Sequence, residues 1–371
     1  MSADRYDCVG PDMGTSNEER EREEQTDRLV DILNDLPTLT TSEVAERHEP
    51  RMNSVFADER SAAMWTDKYR PPEHDLPGFG DEYDTCGWQI PHVCEEHGHQ
   101  HNIGRTCSRS VCPRCAPAWV AKRAVPITAR IESAAKMMGE PGEAVYKHHA
   151  VASPPPELLL DSDDWYGSCL RALKEWMEEI DMNGIIIPHP FSGKSEEDEF
   201  GPAHDDDRGE WKKRLFADRD WEGDVRHELQ HRPHFHIIGA TTWFPGAGQT
   251  DRIYDETAPE DGAHGWVFHR ITQRNGSAIS LGDVDDVARA VTYALSHAAI
   301  DTSGDRNQYL HKKTGWAYHA ADGEHHERNV RRAREAVHKT IGDTLGIDWT
   351  RVGCHEKVHA DEQDHDAVEA T

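Results

Sequence analysis

Apolar residues recur every three or four positions in two stretches of the chain, the spacing that predicts amphipathic helices. The first stretch, residues 161–184, opens with Asp and Ser residues suited to a helix start and ends at Asn183-Gly184. The second, residues 282–300, places two sets of side chains on opposite sides of the helix. One is an apolar stripe of Val284, Val287, Val291, Leu295 and Ala298, and the other contains Arg289, Tyr293 and His297. This helix therefore has a core face and a separate tyrosine face.

Short apolar segments rich in β-branched residues predict strands between and around these helices. They lie in "AVYKHHAVASPPPELL" (144–159), "GIIIPHPF" (184–191), "HFHIIGATTWF" (234–244) and "GWVFHRI" (265–271). Residues 118–138 and 326–346 have helical character, although Pro126 should start, break or kink the first of these helices. A long polar insertion, residues 192–232, predicts a surface excursion. We interpret the chain as an α+β protein with an antiparallel sheet and flanking helices.

Charge changes this picture in two ways. The chain contains 41 Lys and Arg against 70 Asp and Glu, a net charge of −29, which ordinarily argues against a nucleic-acid partner because phosphate is repelled. Molar salt would screen that repulsion to about 3 Å, and we expect a halophilic source. Residues 97–131, however, contain no Asp or Glu and six Lys or Arg, where an even distribution would place between six and seven acids. A basic patch therefore persists within an acidic protein.

Two further features indicate the cellular compartment. No apolar run approaches the roughly 20 residues that span a bilayer, and the first residues lack the basic-then-apolar layout of a signal peptide. We therefore expect a cytoplasmic protein without a membrane partner.

The segment "HRPHFHIIGATTWF", residues 231–244, carries the most informative chemistry. Alternate side chains of a strand point to the same face, so His234 and His236 share one face while Phe235 points to the other, into apolar packing. That spacing offers two ligands to one divalent metal ion. Because the chain has 25 histidines, such a pair also arises by chance and needs supporting features.

The supporting motifs occur in the order that a known family uses. A strand ending in "SPP" precedes "PHFHIIG", and a helix carrying "YALSH" follows some 55 residues later. The set "HAVASPPPELL", "GIIIPHPF", "RPHFHIIG", "GWVFHRI" and "VTYALSHA" resembles the HUH endonucleases, named for their His-hydrophobic-His pair. More narrowly, it resembles the single-tyrosine rolling-circle replication initiators of haloarchaeal plasmids and viruses. The resemblance covers roughly residues 86–300.

This resemblance implies a ferredoxin-like sheet, similar to that of RNA-recognition folds, with the histidine pair on a central strand. It implies that Tyr293 is the nucleophile and that His234 and His236 hold Mg²⁺ or Mn²⁺. The third ligand would lie on the neighbouring antiparallel strand, where His189 matches the pattern and Glu228 is the alternative. A carboxylate would suit Mg²⁺ better than an imidazole does.

The implied activity is nicking and joining of single-stranded origin DNA through a 5′-phosphotyrosine. A tyrosine near pKa 10 is a poor nucleophile at neutral pH, so it needs the metal or a basic neighbour. His297, one helical turn beyond Tyr293, is the candidate base. No Walker-type glycine loop occurs, so we expect a host helicase and polymerase as further partners.

Five of the eight cysteines lie in residues 86–115. Cys94-x-x-His97 and Cys112-x-x-Cys115 are two half-sites fourteen residues apart, a spacing suited to structural Zn²⁺. The remaining two, Cys86 and Cys107, are alternatives, and either could displace His97. A disulfide framework is a further alternative, which a reducing cytoplasm disfavours. The cluster coincides with the acid-free window, so we expect it to grip DNA backbone rather than to perform chemistry.

These features divide the chain into four regions. They are an acidic, loosely ordered N-terminal arm (1–75), a zinc-binding module with a basic helix (76–140), the HUH endonuclease domain (141–300) and a C-terminal helix with a polar tail (301–371). Two other functions fit the same residues. A single-tyrosine transposase or relaxase would use the same pair and tyrosine, whereas a non-catalytic zinc DNA-binding regulator would merely pack the histidines.

Overall fold

The computed structural model describes eleven stretches of the chain, and all structural statements below concern them. They are residues 17–36, 74–78, 84–93, 100–138, 143–155, 165–193, 229–258, 265–271, 281–301, 308–315 and 323–345. The helices in these stretches are α1 (Asn17–Asn34), α2 (Ala116–Met137), α3 (Trp165–Glu179), α4 (Ala247–Glu256), α5 (Val284–Ser296) and α6 (Gly323–Leu345). The strands are β1 (His74–Asp75), β2 (Gln89–Val93), β3 (Gln100–Gly104), β4 (Tyr146–Ser153), β5 (Asn183–Gly193), β6 (Leu229–Thr241), β7 (Val267–Arg270), β8 (Ile300–Asp301), β9 (Gln308–Tyr309) and β10 (Lys312–Thr314).

A five-stranded antiparallel sheet in the order β10-β5-β6-β4-β7 forms the centre of the fold. The four strands predicted from the apolar segments are β4 to β7, and β6, which carries the His-Phe-His segment, is the middle strand. Strand β10 forms one edge of the sheet, and no apolar pattern in its sequence predicts it. The predicted α+β class is therefore confirmed at the level of an antiparallel sheet with helices.

Helices cover both faces of this sheet, because neighbouring residues of the central strands enter different cores. Ile237 belongs to a core with side chains of α1 and α3, such as Trp176, which is fully buried. Ile238 belongs to the opposite core, which contains side chains of α2, α5 and α6. Complete burial of an aliphatic side chain stabilises the fold by about 1.5–3 kcal/mol, so both faces resist a register shift.

Helix α5 begins and packs as the sequence predicts. The Asp283 carboxylate accepts a hydrogen bond from the backbone N–H of Asp286 at 3.0 Å and so caps the first turn. Of the predicted apolar stripe, four members are fully buried in the second core: Val287, Val291, Leu295 and Ala298.

Pro126 neither starts nor breaks the helix in which it lies, contrary to two of the outcomes expected for residues 118–138. Helix α2 continues through it from Ala116 to Met137. Pro126 is exposed, whereas Ala124, Ile127 and Ile131 around it are buried in the core with α5 and α6. An interior proline costs about 3 kcal/mol, and the packing on both sides of it outweighs that cost.

Helix α1 departs from the expectation of a loosely attached arm. Its Leu29 and Leu33 are buried in the core that contains α3, and Arg28 forms an ion pair with Glu179 of α3 at 2.6 Å. An apolar stripe within an acidic segment is enough to dock this helix. Most of the rest of residues 1–75 lies outside the described stretches.

The polar insertion is shorter at both ends than the predicted 192–232. Strand pairing between β5 and β6 continues to Gly193 opposite Leu229, so the ends of the predicted insertion belong to the sheet. Residues 194–228 lie outside the described stretches. Among the described helices, none is both long and apolar enough to cross a membrane.

Candidate functional site

Three histidines of β5 and β6 converge on one face of the sheet. His189 lies directly opposite His234 across the strand pair, and His236 lies opposite Ile187. His189, His234 and His236 each offer one ring nitrogen, and these three atoms all lie within 4.8 Å of one another. His189 and His236 are almost fully buried. The structure thus brings the predicted third ligand to the predicted pair, whereas Glu228 lies outside the described residues.

The strand alternation that places the histidine pair also anchors it. Phe235, between the two histidines, is fully buried on the opposite face and packs edge-on against Tyr166, with ring centroids 6.3 Å apart. The pairing register of β5 and β6 shifts between His189 and Phe191 and then continues to Gly193. The cluster therefore lies in the regularly paired part of the sheet, next to this irregularity.

Hydrogen bonds orient two of these rings. Nε2 of His189 lies 2.6 Å from the backbone oxygen of Ala294 and must donate to it, since a carbonyl only accepts. This carbonyl belongs to the last turn of α5, where helical partners run out. The bond leaves Nδ1 of His189 as the ring nitrogen that could accept a metal ion, and it ties β5 to α5.

His236 is oriented by a second histidine, His149 of β4. Nδ1 of His236 lies 2.6 Å from Nε2 of His149. If Nδ1 of His236 donates, its buried Nε2 keeps a lone pair for a metal ion. Three converging imidazole nitrogens, two of them fixed in orientation, fit a divalent metal with nitrogen preference.

His149 is a member of the site that the sequence patterns do not single out. It belongs to a His148-His149 pair, and alternation sends only one of the two rings to the cluster face. His148 faces the other core, 5.0 Å from the Phe244 ring. Burial, together with nearby Arg270, lowers the pKa of His148 to about 4. The signal for His149 is visible only once β4 is known to pair with β6.

Helix α5 places Tyr293 beside the histidine cluster. The centroid of the Tyr293 ring lies 5.5 Å from that of His236, 6.3 Å from that of His189 and 6.5 Å from that of His149. The residue is half-buried, and burial raises the pKa of its phenol to about 12. The phenol is therefore protonated at neutral pH unless a cation or base removes the proton.

His297 ends helix α5 and lies against Tyr293, with ring centroids 5.2 Å apart. The Ser296 hydroxyl donates to the backbone oxygen of Tyr293 at 2.7 Å. Nδ1 of His297 lies 3.0 Å from the same oxygen and 2.8 Å from Oγ of Ser296. Nδ1 must therefore donate, which leaves Nε2 of His297 as the basic nitrogen.

A second cluster gathers the thiols of Cys86, Cys107, Cys112 and Cys115. Sulfur–sulfur distances are 3.6 Å for Cys86–Cys112, 3.3 Å for Cys86–Cys115 and 3.5 Å for Cys107–Cys115. A disulfide would require about 2.05 Å, and all four cysteines are free. Tetrahedral Zn²⁺ with bonds of about 2.3 Å separates its sulfurs by about 3.8 Å. The four thiols therefore fit a tetrahedral metal site.

The composition of this thiol cluster differs from the set expected first. Cys112 and Cys115 are joined by Cys86 and Cys107, which the spacing offers only as alternatives, while Cys94 and His97 lie outside the described residues. Long-range folding, which brings the turn at Cys86 to the start of α2, decides between half-sites that spacing alone leaves equal. Burial raises the pKa of the Cys112 thiol to about 11, so a metal ion must displace its proton.

Protein-family models, curated proteins and solved structures were all compared with this chain, and none of them matches it. The structure thus shows an α+β fold with two clusters that can hold metal ions. One of them lies next to a half-buried tyrosine, Tyr293.

Proposed function

We propose that the protein is a metal-dependent nuclease of the HUH type that nicks and rejoins single-stranded DNA to start rolling-circle replication. One observation carries the proposal: the Tyr293 ring lies 5.5 Å from His236 in a cluster of three converging histidines. A purely structural role for Tyr293 would not explain its position beside this cluster. The motif order from "SPP" to "YALSH" supports the narrower identity.

In this proposal His189, His234 and His236 hold a divalent cation. When bound, such a cation polarises a phosphodiester and stabilises the charge that develops on its oxygens. Imidazole ligands suit first-row transition metals better than Mg²⁺, which prefers oxygen. The donor set therefore favours Mn²⁺ over Mg²⁺ as the working metal.

The bonds that form and break in the proposed transfer belong to Tyr293 and the DNA strand. The phenol oxygen of Tyr293 attacks phosphorus, the bond from phosphorus to the 3′ oxygen breaks, and a 5′-phosphotyrosine forms. The phenol proton passes to Nε2 of His297, and the departing 3′ oxygen takes up a proton from water. Because the covalent link conserves the energy of the broken bond, attack by a 3′ hydroxyl reverses the step and rejoins the strand.

The remaining regions have supporting roles in this proposal. The cluster of Cys86, Cys107, Cys112 and Cys115 binds structural Zn²⁺ and fixes the acid-free segment that contacts DNA backbone. Single-stranded origin DNA is the substrate, and a host helicase and polymerase unwind and copy it. The protein acts in the cytoplasm of a halophile, where molar salt screens the charge of −29.

The experiment incubates the full chain with labelled single-stranded DNA from beside its gene, with Mn²⁺ at molar salt. We expect an adduct that survives SDS for the wild type and none for Tyr293→Phe, which should still bind the DNA. Tyr309→Phe, which removes another buried hydroxyl, is the matched control and should keep the adduct. A normal yield of adduct from Tyr293→Phe would remove Tyr293 from the mechanism.

A further inference from the structure

A group of basic side chains lies where α2 meets the β10 edge of the sheet. We call it the α2–β10 patch, and it consists of Arg123, Arg130, His311 and Lys313. Arg123 and Arg130 are seven residues apart on α2, so they lie on the same side of the helix. Lys313 pairs with Ile185 of β5 and so shares the face that bears the histidine cluster.

Aromatic rings hold this patch in place. The guanidinium carbon of Arg123 lies 6.0 Å from the ring centroid of Trp119 and 5.8 Å from that of Tyr309. These two rings are buried and meet edge-on at 5.5 Å, and His311 stacks on Tyr309 at 4.5 Å. The cation of Arg123 is therefore held over a fixed aromatic base, as in a preformed binding surface.

Two cations of the patch, Arg123 and Lys313, have no carboxylate partner among the residues that the structure describes, although the chain has 70 acidic residues and 41 basic ones. Burial and then the charges of Arg130 and Arg123 lower the pKa of Lys313. Like charges held together raise the free energy of the folded protein, and a bound anion relieves that repulsion.

We propose that the α2–β10 patch binds successive phosphates of a nucleic-acid strand on its way to the tyrosine site. Ile185, beside Lys313, and His189 are four residues apart on β5, which is about 13 Å at the usual rise of a strand. One strand of nucleic acid can therefore contact both places. Phosphate contacts of this kind hold a strand in register and carry no sequence information. The identity of the strand rests on the proposed function.

The test measures binding of fluorescent single-stranded DNA by anisotropy over a series of salt concentrations. The double variant Arg123→Gln/Lys313→Gln should bind every sequence more weakly, with a salt slope shallower by about one for each removed cation. Lys313→Gln alone, which leaves the Arg123–ring contacts intact, should lower the slope by about one. The matched control is Arg171→Gln/Lys174→Gln on α3, which covers the other face; Arg171 is exposed and Lys174 half-buried, and the control should change neither quantity.

Several results would contradict the proposal that the α2–β10 patch binds nucleic acid. They are an unchanged slope in both patch variants, an equal loss in the α3 control, or displacement of the DNA by polyglutamate as effective as by unlabelled DNA. Absence of any DNA binding by the wild type would also reject it. The two proposals fail separately. Patch-dependent binding without a covalent adduct would reject the nuclease but keep the patch, and an adduct formed with patch-independent binding would do the reverse.

Discussion

The two clusters differ in how many ligands they offer and in what lies beside them. The thiol cluster offers four sulfurs, and three of its cysteines, Cys86, Cys112 and Cys115, are buried. Four ligands complete a tetrahedron, which is typical of a structural metal. The histidine cluster offers three nitrogens, and a tyrosine ring lies 5.5 Å from one of its rings, that of His236. A metal with three protein ligands keeps a position open for substrate.

The two clusters therefore suggest their roles through their neighbouring groups more than through their residue types. Cys115 directly precedes α2, so a metal bound there would fix the start of a helix that packs in the core. The histidine cluster lies between the sheet and the last turn of α5, where Ala294 accepts from His189 and the neighbouring Tyr293 faces the rings. With a metal bound, the first arrangement would hold segments together, and in the proposed nuclease the second would hold a phosphodiester against a nucleophile.

The largest expected effect comes from removing a ligand of the histidine cluster. His236→Ala should lower the rate of adduct formation at least about a hundredfold, since a metal contributes several kcal/mol to such a step. High Mn²⁺ should restore part of the rate. Single-turnover assays over a range of Mn²⁺ concentrations would measure this rate. The control is His148→Phe, on the opposite face of the sheet. Metal dependence identical to that of the wild type would show that His236 holds no metal.

Removing a thiol should instead affect metal content and stability. The purified protein should contain about one equivalent of zinc, and Cys112→Ser should lose that zinc and melt at a lower temperature. Cys169→Ser is the matched control, since Cys169 is buried in the core with α3 and lies apart from the thiol cluster. Elemental analysis and thermal melts would measure both. Full zinc retention by Cys112→Ser would contradict the assignment of Cys112 as a ligand.

A smaller effect should follow from removing His149, which orients one ring of the histidine cluster. His149→Phe removes the hydrogen bond to Nδ1 of His236, and loss of such support lowers metal affinity by about 10- to 100-fold. His149→Gln, whose amide oxygen can accept the same bond, should retain more affinity. Titration of free Mn²⁺ by electron paramagnetic resonance measures this without any activity assay. Equal affinity in wild type and His149→Phe would make His149 a packing residue only.

An effect on stability alone, with none on activity, concerns His148, the histidine that faces away from the histidine cluster. Its folded pKa of about 4 lies below the usual value of 6.5, so the unfolded chain takes up a proton first as the pH falls. Its contribution to stability is complete above pH 6.5 and is lost as the pH falls towards 4, by about 1.4 kcal/mol per pH unit. Denaturant unfolding of wild type and His148→Phe should show a steeper acid loss for the wild type. Parallel pH profiles would contradict this.

Sequence periodicity predicts the parts of this molecule that depend on local pattern. The strands around His234 and Phe235 and the helix that carries Tyr293 follow from apolar spacing, because each must bury one face. Pairing across the sheet is a long-range property. The sequence patterns therefore do not identify His149, although they do identify its hydrogen-bond partner, His236. The choice of Cys86 and Cys107 over more closely spaced partners likewise depends on how distant turns meet.

Residues whose neighbours come from elsewhere in the chain are also the ones that escape local reasoning. The helix around Pro126 continues because packing against α5 and α6 outweighs the local cost. The docking of α1 depends on Leu29 and Leu33, two apolar residues in a strongly acidic segment. In each of these cases a tertiary contact overrides what the local sequence favours.

The central claim is that Tyr293 and the histidine cluster form one catalytic centre, separate from the thiol cluster. The most direct measurement is mass spectrometry of the covalent complex between the wild-type protein and single-stranded DNA, after digestion of both. We predict a single modified peptide in which Tyr293 carries the 5′-phosphate of a nucleotide. A nucleotide on any other residue, Tyr309 included, would contradict the claim, as would the lack of a modified peptide with Mn²⁺ at molar salt.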